Sequence, residues 1–392
     1  MALPLAYPLR SLVHRRLRTG LTVAVVALVV IATTLFLALV SSLRRTLVST
    51  GSPENLIVLR KGSDNDGSSQ LPLEAYQTLR FVDGIAKNGE GEPLVSPELV
   101  VQPFFFRPDG GRENVLVRGV ESVSLAVHDE VKIVEGRMVE PSQGEAVLGR
   151  GVALRYANRG IGSEMKFGRR TWKVVGILES GGSSFESEVW VDARDLAADA
   201  KRPIPYSGMR VKVAPGADRD ALIRRIGDDP RWALEAKPET EYYAKQAESA
   251  NTLYGLVVGL AVLAGIGAVF GATNTMYASV QARIAEIGTL RALGFSRASV
   301  LIAFLVESVA LAALGLVVGV LVAWPLGLAV SKALGGIGFG AATFSTNVIT
   351  LRVGPFDVVV AAALAAAIGL AGGLAPAWRA SHLRPVEALR KG

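Results

Sequence analysis

QARIAEIGTLRALGFSRASV (residues 281–300) sets a charged, evenly patterned segment between two of the most apolar runs of the chain. Within 283–293 the spacing of Ile284, Ile287 and Leu290 or Arg291 predicts a short helix, with Arg283 one turn from Glu286 and able to pair with it. Gly294 supplies a residue that can take a positive φ at the helix end, and Ser296 is placed to cap a second helix that continues into the next apolar run. A loop that only reversed direction would need a handful of polar residues. This one presents an apolar ridge, Ile287, Leu290 and Leu293, on a charged helix, the anatomy of a part that docks into a groove on a partner. The competing reading is an interfacial helix resting on lipid headgroups.

Half of the chain is apolar, and its mean hydropathy of +0.36 is high for a soluble protein. The apolar residues concentrate in 21–41, 253–277, 301–330 and 358–378, and each run meets or exceeds the roughly 20 residues that cross a hydrocarbon core. Four transmembrane helices are the direct expectation: 21–41, 251–277, 300–330 and 358–378. The first run is longer than the apolar part of a signal peptide and follows a 20-residue segment, so a retained anchor is expected. In that leading segment, 1–20, Leu9, Leu12, Val13 and Leu17 share one helical face and Arg10, Ser11, His14, Arg15 and Arg18 the other, which suggests an amphipathic helix on the membrane surface.

Charge sets the expected orientation. Segments 1–20, 278–299 and 379–392 together hold eleven basic residues against two acids, whereas 42–250 holds 29 Lys and Arg against 31 Asp and Glu. The positive-inside bias therefore places both termini and the 278–299 loop in the cytoplasm, with 42–250 and the short loop 331–357 outside. The net charge of +7 is accounted for by topology, which leaves nothing for a nucleic-acid partner to explain. No cysteine is present, so disulfides and thiol chemistry are excluded.

Segment 42–250 is far too long for a simple connection and must fold as a domain. Its two edges each suggest strand, helix, strand: 55–61, 72–86 and 99–106 on one side, 209–214, 218–226 and 232–236 on the other. The middle, 113–192, reads as short β-rich runs between glycine and serine turns, with a helix only at 152–157. An α+β part built from both ends, plus a small β subdomain, is expected. A strand is also the expected home of Phe104 to Phe106. From Glu239 a polar helical stretch runs without a strong breaker into the second span, and 42–49 continues the first, so two helices should form a stalk.

The chemistry of an enzyme is missing. There is no G-x-x-x-x-G-K-[ST] loop, no G-x-S-x-G elbow and no zincin motif, and the only histidines are His14, His128 and His382. His128-Asp129-Glu130 reads as a solvated turn, because neighbours in sequence point apart and rarely share one metal. Glu307 is the one interior carboxylate of the apolar runs. It lies near the cytoplasmic side, where snorkelling or pairing with an arginine is preferred to a proton site.

ARIAEIGTLRALGFSRASVLIAFLVESVALAALGLVVGVLVAWPLG, with Glu307 inside it, resembles the permease signature of the FtsX/MacB superfamily of ABC transporters. GLAPAWRASHLRPVEALRKG resembles that family's ending, and GRMVEPSQGEAVLGRGVALRYANRGIGSEMKFGRRTWKVVGILESGG is similar to the MacB-type periplasmic domain. The resemblance implies a porter-like outer part and a coupling helix at 282–293, comprising Arg283, Glu286, Ile287, Leu290, Arg291 and Leu293 and ended by Gly294. This helix would seat in a cleft of a separate ABC ATPase subunit, which would bind the ATP. The resemblance also implies a second permease protomer, identical or paralogous, in a bacterial inner membrane, without a catalytic or cofactor site of its own. An ATP-driven lever acting on a periplasmic adaptor for export is expected. Lipoprotein release with a lipid-carrying chaperone is one alternative, and a signalling permease that senses a ligand or activates a cell-wall hydrolase is another.

Overall fold

The computed structural model describes residues 16–156, 160–340 and 346–384. The leading surface helix therefore falls largely outside the described residues, as does the end of the basic tail. Along the chain α1 (Arg16–Val48) leads to β1 (Asn55–Arg60), α2 (Leu73–Leu79), β2 (Val95–Val101), β3 (Phe104–Phe106), β4 (Arg112–Asn114), β5 (Leu116–Val120) and α3 (Ser124–Val127). Then come β6 (Lys132–Gly136), β7 (Glu145–Gly149), α4 (Arg150–Arg155), β8 (Glu164–Phe167), β9 (Arg170–Glu179), β10 (Glu188–Asp192), α5 (Ala193–Asp199), β11 (Gly208–Lys212), α6 (Arg219–Gly227) and β12 (Leu234–Pro238). The chain continues through α7 (Glu239–Gln281), α8 (Ile284–Ala292), α9 (Arg297–Ala333), β13 (Ile337–Gly340), β14 (Thr346–Ile349) and α10 (Pro355–Ser381).

The chain divides into two compact units. One holds residues up to 41 with 252–329 and 351 onward; the other holds 42–251 and 330–350. In the first, α1, α7, α9 and α10 are each long and apolar enough to cross a membrane. Small residues let their backbones approach closely. Gly315 and Gly319, one turn apart on α9, meet Val26 and Val30 of α1; a Cβ on either would lie 2.7 Å from Val26 Cβ and 2.6 Å from Val30 Cγ1 respectively. Ser308 Oγ of α9 donates to the Gly369 carbonyl of α10 at 2.7 Å, which satisfies a hydroxyl that lipid could not.

In the second unit the two edges of 42–250 and its middle form one sheet, ordered β12-β1-β11-β2-β5-β10-β7-β9-β6, with β8 on β9. The expected separation into two subdomains appears instead as separate hydrophobic cores under that continuous sheet. One gathers Leu56, Val58, Tyr76, Met209 and Ile226, the other Val117, Leu148, Trp172, Val189 and Leu196. The sheet joins because β2 pairs antiparallel with both β11 and β5. The helix expected over 72–86 stops at Leu79, and Ile85 instead bridges Val213. The strand expected over 99–106 breaks at Pro103, which has no amide proton for a ladder. Beyond it Phe105 is buried while Phe104 and Phe106 are exposed, since successive strand residues face opposite ways. The loop expected over 331–357 contains the hairpin β13–β14, in register Ile337↔Ile349.

Candidate functional site

Residues 281–300 fold as the patterning suggests, with one revision. Helix α8 ends in a Schellman motif: the Phe295 amide donates to the Leu290 carbonyl and that of Gly294 to Arg291, each at 3.2 Å. Gly294 sits at φ +93°, a conformation that costs a side-chain-bearing residue about 1 kcal/mol. Ser296 Oγ accepts from the Ser299 amide at 3.1 Å and so caps α9.

Arg283 stands at the N-terminal boundary of α8, and its side chain is 5% exposed. It donates from Nη1 to Glu307 Oε2 of α9 at 2.9 Å, while its Nε is 4.0 Å from Glu286 Oε2. The arginine pairing expected for Glu307 thus exists, and the expected link to Glu286 is the longer contact. Two charges held this far from water need each other, because either alone would carry the full desolvation cost.

The ridge of Ile287, Leu290 and Leu293 does not share one face. Ile287 is 1% exposed and packs with Met276, Val280, Phe304 and Ala377, whereas Leu293 is 68% exposed and Leu290 lies between. Three-residue steps turn back by about 60° each on a helix of 3.6 residues per turn, so the series winds from the inner to the outer side. Arg291 is half-buried and bonds the Phe295 carbonyl at 2.9 Å, which stiffens the turn. The outward surface of the segment is therefore Ala285, Glu286, Thr289, Ala292, Leu293 and Arg297.

The second unit holds a charge cluster that sequence reading missed. Arg118 of β5 forks onto Glu188 of β10 at 2.6 Å through Nε and Nη2, and reaches Glu98 of β2 through Nη1 at 2.6 Å. Arg210 of β11 donates to the same Glu98 oxygen at 2.6 Å and to Asp66 at 3.3 Å. Glu98, Arg210 and His128 are fully buried. The first turn of α7 rests on this cluster. Glu239 accepts from the Ser52 amide and Asn55 Nδ2, each at 3.2 Å; Tyr242 accepts from the Asp66 amide at 3.1 Å; Tyr243 accepts from Arg210 at 3.3 Å.

His128 corrects the expectation of a solvated turn. Its Nε2 is 2.7 Å from Glu98 Oε1, and Phe185 and Trp190 meet it edge-on. Asp129, next to it, is exposed and pairs with Lys212. Burial alone would lower the His128 pKa, but Glu98, Glu130 and Glu239 together outweigh it and raise the imidazole to about 9. Burial would likewise raise Glu98, yet Arg210, Arg118 and His128 hold it well below the usual carboxylate range. The available signal was a charge amid apolar strand residues, Arg118 in LVRGV, Arg210 in GMRVK and Glu98 in VSPELVV. Among the described residues no three metal-binding side chains converge.

Two family models match the chain, the MacB-like periplasmic core domain over residues 19–228 and the FtsX-like permease C-terminal over residues 258–385. Among curated proteins, the macrolide export ATP-binding/permease protein MacB 1/2 of Paracoccus denitrificans is 28% identical over 67% of this chain and 40% of its own length. The macrolide export ATP-binding/permease protein MacB of Bdellovibrio bacteriovorus is 26% identical over 97% of this chain and 60% of its own. The chain thus spans only part of the relatives it matches. A solved extracellular domain, that of the ABC-type transporter YknZ from Gram-positive bacteria, aligns with 47% of this chain and 99% of its own at 16% identity and a TM-score of 0.36.

Proposed function

Because the chain belongs to the MacB/FtsX family of ABC transporter permeases, we propose that it couples ATP hydrolysis by a separate ATPase subunit to movement of the domain formed by 42–251, for export. The observation that carries this reading is the build of α8. A loop needing only to turn would not hold a helix by a buried ion pair at one end and a Schellman stop at the other while leaving Leu293 exposed. The charge asymmetry supports a cytoplasmic α8 and a periplasmic domain. From α8, movement passes to α9 through Arg283 and Glu307. Helices α1 and α7 run on from apolar stretches into the outer domain, where the first turn of α7 is bonded to the charge cluster. The substrate is handled on the outer side; macrolide export, the activity named for the relatives, is the starting reading, with a second protomer and a periplasmic adaptor as partners.

Affinity purification of the tagged chain in mild detergent, followed by mass spectrometry, tests this. An ABC ATPase together with an adaptor supports export. A lipid-carrying chaperone or a cell-wall hydrolase in place of the adaptor redirects the output to lipoprotein release or signalling. Absence of any ATPase, even after crosslinking from Leu293→Cys, overturns the docking role of α8.

A further inference from the structure

The hairpin between α9 and α10 belongs to the same compact unit as the outer domain, and one side chain fixes it there. Arg155, the last residue of α4, is 6% exposed. Its Nε and Nη2 fork onto Glu113 of β4 at 2.8 and 2.6 Å. Its Nη1 donates to the carbonyls of Gly336 at 2.5 Å and Leu334 at 3.2 Å, just past the end of α9. Those carbonyls lie where a helix runs out of its own donors, so an apolar helix receives its C-terminal cap from a residue 179 and 181 positions earlier. Glu113 is held in turn by the Tyr156 hydroxyl at 2.7 Å, which fixes the plane of the guanidinium fork.

Two further contacts seat the hairpin. The Val348 amide donates to Ser187 Oγ at 2.8 Å. Gly335, at φ +60°, lies so close to α4 that a Cβ would stand 2.7 Å from the Leu154 carbonyl. Asn347 and Ile349 are buried as a result. A connection serving only to join two spans needs none of this.

We propose that Arg155 is a positioning residue that clamps the α9–α10 hairpin to the outer domain, so that these two helices drive the domain directly, in parallel with α1 and α7. The clamp stands on the geometry alone; the drive rests on the permease reading. The chain has no cysteine, so a single Asn347→Cys reports the clamp in the full-length protein through its rate of modification by a membrane-impermeant maleimide. Arg155→Met should raise that rate about tenfold or more, equivalent to about 1.4 kcal/mol of opening. Arg155→Lys, a point charge without the fork, should fall between. Gly335→Ala removes no charge and should also raise the rate, which keeps the test valid if Arg155→Met destabilises the whole domain. A control Ser96→Cys, buried in β2, should stay protected in Gly335→Ala.

Unchanged labelling at 347 in both variants overturns the clamp. If labelling rises while nucleotide-stimulated turnover with the co-purified ATPase stays at the parent level, the drive is overturned; a fall to about one-tenth or less, with recruitment intact, supports it. A parent chain that recruits no ATPase defeats the permease reading and the drive together, and the labelling still decides the clamp.

Discussion

Replacing Glu307 with leucine would strand the Arg283 guanidinium, its side chain 5% exposed and the next acid, Glu286, 4.0 Å away. Losing one partner of a buried pair costs about 3–5 kcal/mol, because the remaining charge keeps its desolvation penalty without compensation. The double variant Arg283→Met, Glu307→Leu removes both charges and should lie within about 1 kcal/mol of the parent. With each single variant costing about 3 kcal/mol or more and the double about 1, the double-mutant cycle should then return a coupling of about 5 kcal/mol or more. Without native thiols, the exposure of Ala303→Cys, 8% exposed and one turn from Glu307, can follow unfolding of this helix packing as denaturant is raised in mixed micelles. A coupling below about 0.5 kcal/mol would refute the reasoning, since residues without mutual dependence add to within that margin.

Leu293→Asp places a charge on a side chain that is 68% exposed; stability should change by no more than about 0.5 kcal/mol, while ATPase recovered in co-purification falls about tenfold or more. His128, charged in the folded state against Glu98 and near Glu130 and Glu239, has a pKa raised from 6.5 to about 9. Its stabilisation is therefore full below about pH 6.5 and is lost as pH rises through 9, about 3 kcal/mol at most. Melting of the full chain between pH 6 and 10 should show that loss, and His128→Gln should flatten it. Gly319→Leu drives a side chain into Val30 and should cost about 1–3 kcal/mol in the same thiol-exposure assay, whereas Gly89→Ala, at a site open to solvent, should leave that assay unchanged.

The four apolar helices were legible because crossing a membrane demands a length and a composition that no soluble element shares. The cap at Ser296 and the stop at Gly294 were legible for a different reason, since each acts within its own turn. Ile287 was misplaced because a three-residue series reads as one face only over a short distance, and here it crosses to the other. The charge cluster stayed hidden because Glu98, Arg118 and Arg210 sit on strands whose adjacency depends on pairing between distant segments, and a single arginine in an apolar strand resembles an edge position. The hairpin over 337–349 was missed because its glycine-rich sequence says little until the surface it meets is known.

The division of labour within α8 has an evolutionary corollary. Its inner side is committed to the fold through Arg283 and Ile287, while its outer side carries small or polar residues around one exposed leucine. A paralogue could change its choice of engine by altering a few outward positions and leave every packed residue alone. The address is written on a surface that the folding of the chain does not read.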